Sequence, residues 1–241
     1  MRVNIINSSS NTNFNKYLTK CNRPKPHSIK LDNISFKAKN DSTNDKIQFK
    51  LNHFVPELRS YQAYRIYNAY GINLQLTKDG KIILDEFRQP DENTSFADLG
   101  INETHLLEDV IEIKGDADFR YSKATKLCNI KKIGGSANFE DSRISNLGEL
   151  EYIGNNANFE HSKVVNMGKL NYIGGDGKFS YSKIEDLGEL TEIGKNADFS
   201  YSSEKNLGNL KIINKNADFR NSPVRTLSKV EYIGGNLHCE K

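Results

Sequence analysis

Six serines, at 122, 142, 162, 182, 202 and 222, stand twenty residues apart. A serine becomes a nucleophile only beside a base that takes its proton. No His or Asp keeps step with this column, so the spacing points to structure rather than to hydrolysis. Asp116 and Asp118 lie two apart, as a pair of cleft carboxylates would, but no His or Lys recurs beside them, and they read as solvated surface. The run GELTEIGKN (188–196) approaches a phosphate-binding loop, yet its glycine gap is too long and Ser or Thr is missing after Lys195. GGDGK (174–178) approaches a calcium-binding roll, which needs that pattern in many successive coils; it occurs once. Cys21, Cys128 and Cys239 form an odd set without metal or CxxC spacing, which fits a reducing compartment. No catalytic, metal or cofactor site is expected, and the chain does not read as an enzyme.

The serines belong to a larger pattern. With Gly115 as position 1, position 5 is Phe at 119, 139, 159, 179, 199 and 219, and position 19 is Ile at 133, 153, 173, 193, 213 and 233. Position 3 is small (Ala117, Ala137, Ala157, Gly177, Ala197, Ala217), and positions 10, 13 and 16 are mostly aliphatic. Fixed periods of this length mark stacked-repeat architectures. Positions 3 and 5 alternate with polar neighbours, the period of a strand. The apolar spacing then widens to three, which reads as an arc. Each coil is therefore expected to give one short strand and one return path, with all strands in a single parallel sheet and like residues stacked on like. The Ser column is expected to form a ladder onto the backbone of the adjoining coil. The Gly-Gly pairs at 134–135, 174–175 and 234–235 are expected to make tight turns needing positive φ.

Three segments follow from composition. Residues 1–46 hold nine Lys/Arg against three Asp/Glu among many Asn and Ser, and read as a disordered basic leader. Residues 47–94 read as a small α+β cap, a helix plus a hairpin. Pro56 and Gly71 bound the helix, and TKDG (77–80) makes the turn. The tyrosines at 61, 64, 67 and 70 on that helix read as core. Residues 95–241 form about seven coils, counting a degenerate copy at 95–114 and a truncated start at 235–241. No apolar run approaches the ~18 residues of a membrane span and no secretory signal opens the chain. A cytoplasmic protein is expected, with export by another route left open.

Joined, LGELEYIG (147–154) and NANF (156–159) resemble leucine-rich repeats, closest to the LxxLxxIGGxLxI phrase of receptor L-type and related bacterial repeats. Ser stands where the family's ladder Asn is usual, and Ala and Phe replace the strand leucines, so the resemblance is to an atypical type. It covers 95–241 and implies a curved solenoid whose strand face binds partners. Pentapeptide-repeat β-helices are the alternative: ADFSYS (197–202) is similar to one of their units, but positions 16 and 19 break the five-residue rule in every copy.

The outer strand face, positions 2, 4 and 6, is the expected binding surface. It holds Asp116, Asp118, Glu140, Glu160, Asp176, Asp198, Asp218 and Glu240 against Arg120, Lys178 and Arg220. Tyr181 and Tyr201 stand beside it at position 7, with Tyr121 and His161. Tyr is enriched at protein-binding hot spots. An acidic strip with aromatic edges suits a basic protein or peptide. Nucleic acid is not expected, because phosphate contact calls for stripes of Lys/Arg, nor is a membrane. Two other readings are a carbohydrate module, with sugars on Tyr181 and Tyr201, and a self-associating solenoid joined end to end through its C-terminal coil.

Overall fold

The structure, a computed structural model, describes residues 59–91, 94–227 and 229–239. The leader at 1–46 and the first part of the expected cap lie outside the described residues, as does Glu240.

Helix α1 (Arg59–Ala69) is followed by Gly71 at φ 71. It buries Ile66 and Tyr67, leaves Tyr64 exposed, and donates the Tyr67 hydroxyl to the Leu106 carbonyl at 3.0 Å. Strands β1 (Leu74–Leu76) and β2 (Ile82–Leu84) pair antiparallel. Asp109 ties helix to hairpin, accepting from Ser60 Oγ at 2.9 Å and Lys81 Nζ at 3.0 Å. β2 also pairs in parallel with β3 (Val110–Ile113), so the hairpin begins the sheet on which the coils stack. Between them a 3-10 turn (Phe96–Leu99) and helix α2 (Glu103–Leu107) replace the bends of later coils.

From β3 onward the chain winds into a β-solenoid of about six turns with parallel strands and twenty-residue repeats. The strands form two sheets, not the single sheet expected. One has nine strands, running from the hairpin through Lys132–Ile133, Tyr152–Ile153 and their successors to Tyr232–Ile233; the other has seven, from β4 (Ala117–Asp118) to Leu237–His238. Each coil thus crosses two sheets. The strand at positions 18 and 19 is only two residues long, too short for alternation to show within a three-residue apolar spacing. Isolated parallel bridges Lys126↔Asn146↔Asn166↔Asp186 form a third line of contact. Strand partners differ by twenty in the coils, as in Ala137↔Ala157 and Ile153↔Ile173, so equal positions lie over one another.

The core follows from that register. The rings of Phe119 to Phe219 stack along the interior with centroids 4.6–5.7 Å apart, and all are buried. The stack extends beyond the repeats: Phe87 lies on Phe119 at 4.7 Å, and Phe96 on Phe87 at 6.2 Å. The frame assigns that slot to Leu99; Phe87 fills it instead, bridged to Ala117. At the other end burial thins: Val224, Leu227, Val230 and Ile233 are only partly buried, and Leu237 is exposed.

The polar ladder is real, but it is not made by serine. Side-chain oxygens at position 2 accept the backbone N–H of position 2 one coil on: Asn156 from Asp176 at 2.8 Å, Asp176 from Asn196 at 3.0 Å, Asn196 from Asn216 at 3.2 Å and Asn216 from Asn236 at 2.7 Å. The Ser column turns the chain differently, each Ser N–H donating to the Phe carbonyl three residues back, as Ser162 does to Phe159 at 3.1 Å. The hydroxyls of Ser142, Ser162, Ser182 and Ser222 make no hydrogen bond among the described residues. Ser122 differs. The buried Glu103 carboxylate accepts from its hydroxyl and from the N–H groups of Lys123 at 2.7 Å and Ala124 at 3.0 Å, closing the column at its N-terminal end. A buried hydroxyl without a partner is unfavourable by about 1–3 kcal/mol. Ser162→Ala is therefore expected to raise the unfolding free energy by about 1 kcal/mol; urea titration checks it, and a loss of stability would mean the hydroxyl has a partner.

The glycine pairs also differ from expectation. None of the six has positive φ. A Cβ on Gly154 would instead collide with the Gly134 carbonyl, and one on Gly174 with the Gly154 carbonyl. Close approach of stacked backbones explains these glycines.

Candidate functional site

The expected site residues divide by where the coil sends them. Position 2 residues serve the stack: Asp116 accepts the Ser136 N–H at 2.6 Å, and Asp176 is a rung of the ladder. Position 4 residues shape the corner that follows. Asp118, Asn138, Asn158, Asp198 and Asp218 each accept the N–H two residues on, at 2.9–3.0 Å. This side-chain mimic of a turn is what Asp and Asn do best. Lys178 interrupts the series and reaches toward Glu160 at 3.9 Å. Arg120 and Arg220 fold back on Asp118 and Asp218, with closest contacts of 2.6 Å. The Arg220 guanidinium, hydrogen-bonded to Asp218, holds that carboxyl below its ordinary value. The strip is thus partly neutralised at both ends, and its middle holds Glu140, Glu160, Asp176 and Asp198 with Lys178 among them.

The turn delivers position 7 to the left-handed region in every coil: Tyr121, Asp141, His161, Tyr181, Tyr201 and Asn221 have φ between 52 and 60. That conformation is unfavourable for L-residues by roughly 1–2 kcal/mol, with Asn and Asp the usual exceptions. Asp141 and Asn221 therefore fit the corner as it stands, whereas the tyrosines and His161 hold it against their preference. They project outward, Tyr181 and Tyr201 each 52% exposed, and stack on one another: His161 on Tyr181 at 5.5 Å, Tyr181 on Tyr201 at 5.0 Å and 4° between planes. The stacked ring faces are turned to neighbouring coils. Ser180 links this corner to the strip through Glu160 at 2.7 Å.

No family model matches this chain, and neither curated proteins nor solved structures gave a match. Among the described residues no group of three or more His, Cys, Asp or Glu is placed to hold a metal ion, and no helix is long and apolar enough to cross a membrane. A hollow of about 490 Å³ opens away from the strip, on the first sheet, between Asp79, Lys81, Glu112, Lys131 and Lys132.

Two features escaped the sequence reading. Glu204 sits at position 10 among Ile144, Val164, Ile184 and Val224, with none of its surface exposed. Neither carboxylate oxygen closes a hydrogen bond of normal geometry among the described residues. Burial pushes its carboxyl up to about 7, while the Ser202 hydroxyl and its own amide pull the other way. The second is position 9, where Lys123, Arg143, Lys163 and Lys183 follow one another in successive coils. Reading down the twenty-residue columns shows both; averaging charge over the strand face hides them.

Proposed function

We propose that the protein is a non-enzymatic recognition module that holds a basic protein or peptide segment against the second sheet and the corner beside it. The supporting observation is the outward stack of His161, Tyr181 and Tyr201. Bulky rings occupy a corner whose backbone favours Asn or Asp, remain half exposed, and adjoin Glu160 and Asp198. Non-glycine residues kept in the left-handed region gather at functional sites, and Tyr anchors binding through large, rigid area. The flanking carboxylates supply charge complementarity, which speeds association and selects partners. The coils read further as an atypical leucine-rich-repeat type, supported by the buried Leu147, Leu150 and Ile153 of the LxxLxxI run.

A library of Lys- and Arg-rich peptides, screened by fluorescence polarisation against the full chain, tests the proposal. The double variant Tyr181→Ala/Tyr201→Ala is expected to weaken the best ligand by about thirtyfold or more, the effect of losing a hot spot worth about 2 kcal/mol. Glu160→Lys with Asp198→Lys is expected to slow association. Ligands that bind both variants unchanged would place recognition elsewhere.

A further inference from the structure

Between the second sheet and the bridge line Lys126↔Asn146↔Asn166↔Asp186 each coil runs through an arc, positions 8 to 12. In earlier coils this arc is tied to its neighbour by backbone bonds. Arg143 N–H donates to Ser122 O at 2.9 Å, Ser145 N–H to Thr125 O at 3.0 Å, Glu185 N–H to Val165 O at 2.8 Å and Met167 N–H to Asp186 O at 3.0 Å. The bridge line stops at Asp186. Among the described residues, no bridge and no backbone hydrogen bond joins residues 203–207 to the coil before or after them. One side-chain bond remains, Ser203 Oγ to Ser182 O at 3.2 Å. Pro223 contributes to this gap: it takes the position that Arg143 has in its own coil, and it has no N–H to give the Ser202 carbonyl.

The loosened arc has fixed ends. Before it, Tyr201 N–H donates to Arg220 O at 3.1 Å; after it, Lys211 N–H donates to Thr191 O at 2.9 Å. Between them lies Glu204, fully buried and without a hydrogen bond of normal geometry at its carboxylate. Glu103 shows the opposite arrangement: its buried carboxylate accepts from the N–H groups of Lys123 and Ala124 and so holds its arc closed. Ile184 and Val224 fill the Glu204 slot in the flanking coils. The charged residues of the three arcs, Lys183 and Glu185 before, Lys205 beside and Arg225 after, are all exposed. Burial raises the Glu204 carboxyl to about 7 against the pull of the Ser202 hydroxyl and its own amide, and no charged group contributes. One coil on, Val224 and Leu227 are only partly buried.

An ionised carboxylate is strongly unfavourable in an apolar slot without a partner. Here the segment that carries it can move out without breaking a backbone bond between coils. We propose that Glu204 is a proton-operated latch: protonated, it lies in the core column and residues 203–209 close over it; ionised, having released its proton to solvent, it draws that arc outward while both sheets stay intact. The latch holds whatever the neighbouring aromatic corner binds. Its direction follows from the upward shift. Below about 4.5 open and closed arcs both keep the proton, and the balance between them does not depend on pH. Between about 4.5 and 7 the open arc loses its proton first, so opening grows as pH rises; above about 7 it levels off.

Amide hydrogen exchange of the full chain, read residue by residue by NMR, tests this. Leu210 N–H donates to the Leu207 carbonyl, which lies in the arc, at 2.9 Å; one coil earlier Leu190 N–H makes the same bond to Leu187 O at 3.0 Å. The ratio of the two rates cancels the intrinsic pH dependence of exchange. Leu210 is expected to gain on Leu190 by more than about tenfold between about pH 5 and about pH 8, within a linkage ceiling of about seventyfold. Glu204→Gln and Glu204→Ile, which cannot ionise, should each hold the ratio constant within about twofold. A flat ratio in the unchanged chain, or the same rise in Glu204→Gln, would overturn the latch. So would an equal acceleration of Leu210 and Leu190, which would mean that the solenoid opens as a whole.

Discussion

Replacing Glu204 by Ile is expected to stabilise the fold by about 3 kcal/mol at about pH 8, with the pH-dependent part of that gain gone at about pH 4. The carboxyl rises from 4.5 to about 7 on folding, and each unit corresponds to about 1.4 kcal/mol. Because the shift is upward, the fold prefers the protonated acid. Below about 4.5 both folded and unfolded chains hold the proton and ionisation carries no penalty. Between about 4.5 and 7 the unfolded chain ionises first, and stability is lost as pH rises; above about 7 the loss is complete. The cause is the column: Ile184 and Val224 occupy the same slot in the flanking coils, and neither offers a donor.

The difference in unfolding free energy between Glu204→Ile and the unchanged chain, followed across this window, isolates the one group from every other titration. At high pH the variant is expected to melt roughly 6–12 °C higher. Glu204→Gln separates charge from packing. It abolishes the pH dependence but recovers less stability, because a buried amide still lacks partners. A constant difference between Glu204→Ile and the unchanged chain from pH 4 to 8 would show that Glu204 is ionised and satisfied in the fold.

The repeat and its core are legible in the sequence because every interior slot is a column. Phe at 5 and Ile at 19 recur without a slip, and stacking like on like is the only way to bury them all. What is hidden is whatever depends on the backbone between columns. The second sheet rests on two-residue strands such as Tyr152–Ile153, whose pattern of one residue out and one in vanishes inside a three-residue spacing. The ladder goes unseen because Asn156, Asp176 and Asn196 sit on the outer face and so read as solvated, while buried Ser looks like the residue in need of partners. Phe87 is invisible as a core ring because it enters the stack from outside the repeat. In the candidate strip Asp116 and Asp176 spend an oxygen on the ladder, and Asp118, Asp198 and Asp218 spend one on the corner, roles that charge and spacing alone do not reveal. The strained corner itself has a cue: Asp141, His161 and Asn221 share a column with three tyrosines, and these residue types gather where φ is positive.

Phe159→Ala is expected to be the most damaging single truncation, removing about 3–5 kcal/mol. The ring is fully buried and sandwiched between Phe139 at 4.8 Å and Phe179 at 5.7 Å. No rotamer of a neighbour fills the space, since each neighbouring ring is itself clamped by the next. Phe219 provides the comparison. It stacks on Phe199 alone at 5.1 Å, retains 5% exposure, and lies where the surrounding core is only partly buried. Phe219→Ala should therefore remove clearly less, about 2 kcal/mol. The two should also differ in kind. Solenoid stability is a chain of nearest-neighbour interfaces, so a defect at Phe159 weakens the coupling between the coils before it and those after it. Urea unfolding of Phe159→Ala is expected to show a lower midpoint and a smaller slope, the mark of lost cooperativity, while Phe219→Ala keeps the slope. Equal losses and equal slopes at both positions would mean that the phenylalanine stack does not carry the coupling between coils.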